Sequence, residues 1–317
     1  MTGIAERISV HTGLPEAVVR RIARTAPVRY KEYTIPKRNG GYRRISQPAR
    51  ELKILQRSLI DILLNQLPIH DSAMAYREGL SICENAARHA QNGPILKMDF
   101  KDFFPSIIKN DWTKYCRKNC VITDHDDLDI TSSILFRKPK GGGRLQLAIG
   151  APSSPILSNI LMFEFDKQLV EKLSEDGVIY TRYADDLTFS APRTGFLNRV
   201  IKNVRDTIRE ISHPNLTINE EKTTFVTKKY HRVVTGLTLS NDGRVTVGRA
   251  RKRLLRSMIH RASIGELDQE SIEQLAGYIA FVQSVEPDFI ADLLRRYDPS
   301  LLRSIKSAPF GRREGSN

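Results

Sequence analysis

The chain has 317 residues, of which 40% are hydrophobic, enough for a sizeable core and too many for a disordered tail. Fifty Lys and Arg against 36 Asp and Glu leave a net charge of +14, which calls for a polyanionic partner, most simply nucleic acid. No apolar run approaches the ~18 residues of a spanning helix, and Met1 to Val10 lacks the apolar core of a signal peptide, so the expectation is a cytoplasmic protein with no membrane partner.

In chain order, residues 1–25 read as two short helices broken at Thr12-Gly13-Leu14-Pro15, a helical cap over residues 1–27. Tyr30 to Pro48 reads as two β-prone runs joined by the Asn39-Gly40-Gly41 turn. Leu52, Leu55, Leu59, Ile62 and Leu63 follow at helix spacing. "GPILKMDFKDFFPSI" (Gly93 to Ile107) begins as a buried strand and stops at Pro105, and a Gly-rich turn from Pro139 to Arg144 precedes a predicted strand, "LQLAIG". Pro155 to Leu173 reads as one helix, "IYTRYADDLTFS" (Ile179 to Ser190) as a hairpin, and Phe196 to Ile211 as an amphipathic helix. Short strands fill Leu216 to Val247; from there to about Tyr297 the chain is helical and polar, before a charged tail from Arg312 to Asn317. The order is mixed α and β, with the notable acids on strands.

Asp99 emerges from the buried run "ILKM", where a carboxylate is costly unless it is paired or binds a metal. Asp185 and Asp186 also stand at a strand end; taken alone, an acidic pair at a hairpin tip is simply a solvated turn. Together the three acids would hold two Mg²⁺ ions about 3.5–4 Å apart and drive an in-line phosphoryl displacement. Cys116 and Cys120, with His125 nearby, have no second pair of ligands and read as structural rather than as a zinc site. Gly243 to Arg261 holds seven Lys and Arg and no acid, a solvated face or, given the net charge, a phosphate-tracking surface through Arg249, Arg251, Lys252, Arg253 and Arg256.

These residues resemble a known family. "YADD" (Tyr183 to Asp186) matches the Tyr-Xaa-Asp-Asp box of reverse transcriptases, "LKMDFKDFFPSI" their first catalytic block and "GAPSSPILSN" (Gly150 to Asn159) their template-and-nucleotide block. "PKRNGGYRRISQP" resembles the fingers motif and "LTINEEKT" (Leu216 to Thr223) the later lysine-bearing one, all in the family's order over about residues 28–240. "ENAARH" (Glu84 to His89) and "VVTGL" (Val233 to Leu237) are similar to elements of the retron branch.

The resemblance implies an α+β right-hand polymerase with fingers and palm at 28–240 and a basic helical thumb at 241–317. It assigns Asp99, Asp185 and Asp186 to two Mg²⁺ ions, replaceable by Mn²⁺, with the Phe100 carbonyl completing one site. Phe104 corresponds to the steric gate against a ribonucleotide or is a core Phe; Lys37 and Arg43, with Arg44 competing, would meet the triphosphate. Lys222 is a general acid for pyrophosphate or a solvated lysine. Gly150 and Ala151 would let substrate approach the backbone, while Ile149 replaces the Gln usual before that block. Asn85, His89, Thr235 and Gly236 would contact folded RNA, although a satisfied structural His fits the sequence equally.

The family implies dNTP substrates, a cognate structured non-coding RNA, a branched RNA–DNA product primed from a guanosine 2′-hydroxyl, and an anti-phage role with a separate effector protein. Two alternatives stand: another bacterial reverse transcriptase of group II intron or phage-defence type, and a catalytically silent RNA-binding protein on a polymerase scaffold.

Overall fold

The computed structural model describes residues 2–37, 40–297 and Ile305, so Asn39 of the expected turn and the tail from Arg312 lie outside the described residues. The chain forms two compact units, Met1–Ser81 with Gly93–Val226, and Ile82–Asn92 with Thr227–Asn317.

The first unit opens with α1 (Ile4–Thr12) and α2 (Glu16–Thr25), separated where Gly13 takes φ 72° and its N–H caps α1 on the Ser9 carbonyl. Both pack on α3 (Arg50–Ile62) through Ile8, Val19, Ile22, Leu52, Leu55 and Leu59. Between them, β1 (Tyr30–Pro36) and β2 (Tyr42–Pro48) form an antiparallel ribbon, Tyr30 opposite Pro48. The helix α4 (Ile82–Ala90) leaves for the other unit, and the chain returns as β3 (Ile95–Asp99). Then come α5 (Phe103–Ser106), α6 (Lys109–Lys118) and α7 (His125–Leu135); Trp112 Nε1 of α6 donates to Thr131 Oγ1 of α7 at 3.2 Å.

The predicted strand "LQLAIG" is absent as an element: only Gln146 bridges, to Ile108 and to Arg137. The predicted 155–173 helix is two, α8 (Ser154–Leu161) and α9 (Phe163–Leu173), parted where Met162 takes φ −88° and ψ −1°. A hairpin of β4 (Ile179–Tyr183) and β5 (Asp186–Ser190) follows, then α10 (Val200–Ile211) and β6 (Thr224–Val226). The four strands make one antiparallel sheet in the order β4-β5-β3-β6. Its core side chains Leu96, Met98, Leu187 and Phe189 occupy alternate positions of β3 and β5 and are buried, which explains why apolar residues recur at every second position there.

Beneath the hairpin lies a fully buried ion pair. Arg182 Nε and Nη2 donate to Asp166 at 2.9 and 2.6 Å, and Arg182 Nη1 donates to Asn159 Oδ1 at 3.0 Å and to the Ala184 carbonyl at 3.3 Å. Tyr180 Oη adds a 2.8 Å bond to Asp166.

The second unit sets α4 against a three-stranded antiparallel sheet of β7 (Arg232–Val234), β8 (Leu237–Leu239) and β9 (Val245–Thr246). After it run α11 (Arg249–Ser263), α12 (Gln269–Val285) and α13 (Pro287–Leu294); the Asp268 side chain caps α12 by accepting from Ser271 N at 2.8 Å. Among the described residues no helix is long and apolar enough to cross a membrane.

Removing one member of the Arg182–Asp166 pair strands a charge in the core. Asp166→Ala should therefore cost about 3–5 kcal/mol in chemical denaturation, whereas the double change Asp166→Leu with Arg182→Met should recover most of it. Equal losses in the single and double variants would contradict this account.

Candidate active site

Strand register brings the acids together. Asp99 closes β3 directly opposite Asp186, the first residue of β5, and Tyr183 pairs with Asp186 to leave Ala184 and Asp185 as a two-residue turn. Ala184 sits at φ 59°, in the left-handed region that a Cβ disfavours. The turn is held by two bonds: the Arg182 guanidinium on the Ala184 carbonyl, and Phe100 N–H on the Asp185 carbonyl at 3.1 Å. On the other side of β3, Asn219 N–H donates to the Asp99 carbonyl at 2.7 Å and Lys101 N–H to the Thr217 carbonyl at 2.8 Å. This pairing delivers the single helical turn Glu220–Lys222, and Lys222 Nζ reaches both Asp99 carboxylate oxygens at 2.9 and 2.8 Å.

The electrostatics are those of crowded anions. Burial, then the neighbouring Asp99, raises the Asp185 carboxyl above its ordinary range. Burial, then Asp185 and Asp99, pushes Asp186 up to about 6, although Asp186 keeps contact with solvent and Lys97 pulls the other way. Partial burial lowers Lys222, but the bond to Asp99 outweighs it and the ammonium ends above its usual value. Three hard oxygen donors that repel one another suit a divalent cation. Among the described residues, however, no three acidic, His or Cys side chains are grouped as a ready cage, so the remaining ligands would have to come from a substrate phosphate, as is usual for Mg²⁺.

Asp99, Asp185 and Lys222 line a cavity of about 690 Å³ shared with Lys37, Arg43, Arg44 and Phe104. Phe100 also lines it, with its ring buried against Phe103 and Phe165 at 5.7 and 5.5 Å. Gly150 and Ala151 belong instead to a neighbouring cavity of about 370 Å³ with Lys53 and Arg57. The close approach expected at Gly150 is made by the chain itself: φ is +113°, and a Cβ there would lie 2.9 Å from Ile45 Cγ2 and 3.3 Å from the Ser46 carbonyl. Ser46 N–H donates to the Ile149 carbonyl at 2.8 Å, which fixes β2 against this block. Sequence reasoning missed Gln146, Asn219 and Tyr76 on the larger cavity's wall; the first two are polar, where Ile149 offers nothing polar.

The residues expected to touch RNA lie in the second unit and divide sharply. Asn85 and His89 are fully buried, so neither side chain is available to a nucleic acid in this conformation, and burial, then Arg88, pushes His89 down to about 3 and keeps it neutral. Thr235, at φ 46°, donates to the Ile82 carbonyl at 3.0 Å and accepts from Asn85 Nδ2 at 3.5 Å, so its hydroxyl is turned to α4. The Gly236 carbonyl accepts from Arg251 Nη1 at 2.6 Å. Arg251 also lies over Phe281, and Lys252 binds Glu286 at 2.5 Å beneath Phe289. Arg249, Arg253 and Arg256 remain exposed, the last stacked over Phe289 at 5.1 Å.

Two substitutions probe this site. Because Asp186 holds its proton more tightly folded than unfolded, it costs nothing below about pH 4, where it is neutral in both states, and the full cost of ionising it in the fold is reached above about pH 6. Asp186→Asn should raise Tm at pH 7–8 in the absence of divalent cations, with the gain fading as pH falls through about 6 towards 4. Gly150→Ala should lower Tm, by strain at φ +113° and by the clash with Ile45, and an unchanged melting curve would refute the packing role.

Comparison with known proteins agrees with this geometry. Residues 35–239 match the family model "Reverse transcriptase (RNA-dependent DNA polymerase)". The chain is 37% identical over 284 residues to the retron Ec83 reverse transcriptase of Escherichia coli, covering 89% of this chain and 91% of that protein. It is 32% identical to the retron Ec86 reverse transcriptase of the same organism, over 96% of this chain and 91% of the relative. In fold it is similar to telomerase from Candida albicans, at TM-score 0.51 and 14% identity over 93% of this chain and 59% of the telomerase chain. With its antiparallel palm-like sheet and paired acids, the chain belongs to the reverse transcriptase family, within its retron branch, and is a right-hand RNA-directed DNA polymerase.

Proposed function

We propose that this enzyme binds a cognate structured non-coding RNA and copies part of it into single-stranded DNA from a guanosine 2′-hydroxyl, giving a branched RNA–DNA molecule. Residues 28–240 would act as fingers and palm, 241–317 as thumb, and 1–27 as a helical cap. The supporting observation is the convergence of Asp99, Asp185 and Lys222 in one cavity with Lys37 and Arg43. Similarity to retron reverse transcriptases supports placing the activity in a retron; the self-primed, branched outcome and its use in anti-phage defence with a separate effector protein are part of the proposal.

Reverse transcription depends on a divalent cation, here Mg²⁺ with Mn²⁺ as substitute, which when bound lowers the pKa of the attacking hydroxyl and neutralises the leaving phosphate. Asp99 and Asp185 would hold it, with Asp186 and the Phe100 carbonyl as further oxygen donors. Arg43 and Lys37 would grip the triphosphate, the arginine through its fork and the lysine as a point charge. Lys222, protonated at neutral pH, would donate to the departing pyrophosphate. The Phe104 ring would sit under the sugar and disfavour a 2′-hydroxyl. Exposed Arg249, Arg253 and Arg256 would track RNA phosphates.

On a primed RNA template with Mg²⁺ and dNTPs, Asp185→Asn should lower incorporation by more than about 10³-fold while leaving RNA affinity within threefold, since it removes a group used in chemistry rather than binding. Persistent synthesis would refute the metal assignment. Arg249→Ala with Arg253→Ala should weaken RNA binding and lower the salt slope by about 1.5–2, from two lost phosphate contacts. Nucleic acid that co-purifies with the enzyme should contain a branched RNA–DNA molecule; linear intron RNA would redirect the reading to the group II type.

A further inference from the structure

The catalytic cavity and its basic neighbour share a wall formed by Arg43, Tyr76, Phe104 and Ile149. Tyr76 is the anomaly in it. Its φ of 61° is one an aromatic L-residue rarely adopts, yet the residue is 50% exposed and gains little from packing. Such a conformation persists only where the surroundings over-determine it.

Here they do. Arg182 N–H donates to the Ser72 carbonyl at 2.7 Å, and Met74 N–H donates back to the Arg182 carbonyl at 2.8 Å. Asn159 Nδ2 donates to the Ala75 carbonyl at 2.8 Å, while its Oδ1 accepts from the guanidinium that also holds Ala184. Ser72 to Ala75 are buried, so the segment is clamped up to the residue before the ring. One network thus fixes the acidic turn and aims a tyrosine between the two cavities.

The chemistry of that position narrows its role. Burial, then Asp185, raises the phenol, so the ring is uncharged beside the acids. A neutral, flat, half-exposed ring offers a phosphate only its single phenol O–H, whereas its whole face can stack against or fit a base. Ile149 on the same wall adds apolar surface where a polar contact is usual. Resting on the nucleotide-pocket reading above, we propose that Tyr76 is a specificity-determining wall of this polymerase, against which the nascent base pair is fitted by shape.

The test is single-nucleotide incorporation on a primed RNA template by the full chain and by Tyr76→Asn and Tyr76→Phe, with Asp185→Asn alongside. Asn tolerates the positive φ and so removes the ring without disturbing the backbone, which an unchanged melting curve would verify. Tyr76→Asn should raise KM for the matched dNTP about 10-fold, leave kcat within threefold and increase mismatched incorporation. Tyr76→Phe should stay within twofold of the parent. A wild-type KM and mismatch rate in Tyr76→Asn, or a loss confined to kcat, overturns the proposal. Continued synthesis by Asp185→Asn overturns instead the reading of the pocket on which it rests.

Discussion

The first unit is organised around a guanidinium that no water reaches. Arg182 is costly to bury, and it is tolerated because every nitrogen of its fork finds an oxygen: both Asp166 oxygens, Asn159 Oδ1 and the Ala184 carbonyl. Asp166 is in turn bound by Tyr180, whose ring stacks on Phe189 at 5.0 Å. A pair so placed contributes less to net stability than to uniqueness of arrangement: shifting β4 by one residue would turn Arg182 away from Asp166 and Asn159.

That uniqueness matters because the active site is assembled from unfavourable parts. Three carboxylates converge with one bonded ammonium, Lys222 on Asp99, and burial raises Asp185 and Asp186 towards the neutral form. Ala184 and Tyr76 both carry positive φ next to this charge. Left to itself, the turn would relax and spread the acids into solvent. The Arg182–Asn159 bonds oppose this from below, and Phe100 N–H opposes it from β3. Stability is thereby spent where a cation and a nucleotide would later recover it.

What the sequence revealed and what it hid follow from the range of the interactions. The apolar run before Asp99 and the hairpin pattern of Ile179 to Ser190 are local signals, enough to place the acids at strand ends. The helix break at Met162 and the missing strand around Gln146 depend on tertiary partners and left no periodic trace. Nothing near Arg182 in sequence announces Asp166 or Asn159, so its role has no local signal. At Gly150 the sequence suggests a close approach by substrate, whereas the group that lies against it in the structure is β2, a partner about a hundred residues away. Composition exposed the basic character of α11; it could not show that Arg251 and Lys252 are already engaged by Gly236, Phe281 and Glu286.

The same limit bears on the two short elements typical of the retron branch. In sequence they are 150 residues apart, Asn85 and Thr235, and each looks like a separate contact for RNA. In the second unit they are one device. A β-branched residue at φ 46° is a costly choice for a hairpin turn, and the Thr235 hydroxyl is what the position gains: a donor to the Ile82 carbonyl and an acceptor for Asn85. Gly236, next in the turn, presents its carbonyl to Arg251 at the start of α11. The bonds therefore run from α4 through the turn to the basic helix. Their effect on RNA would be exerted through the placement of Arg249, Arg253 and Arg256, not through the buried Asn85 and His89 themselves.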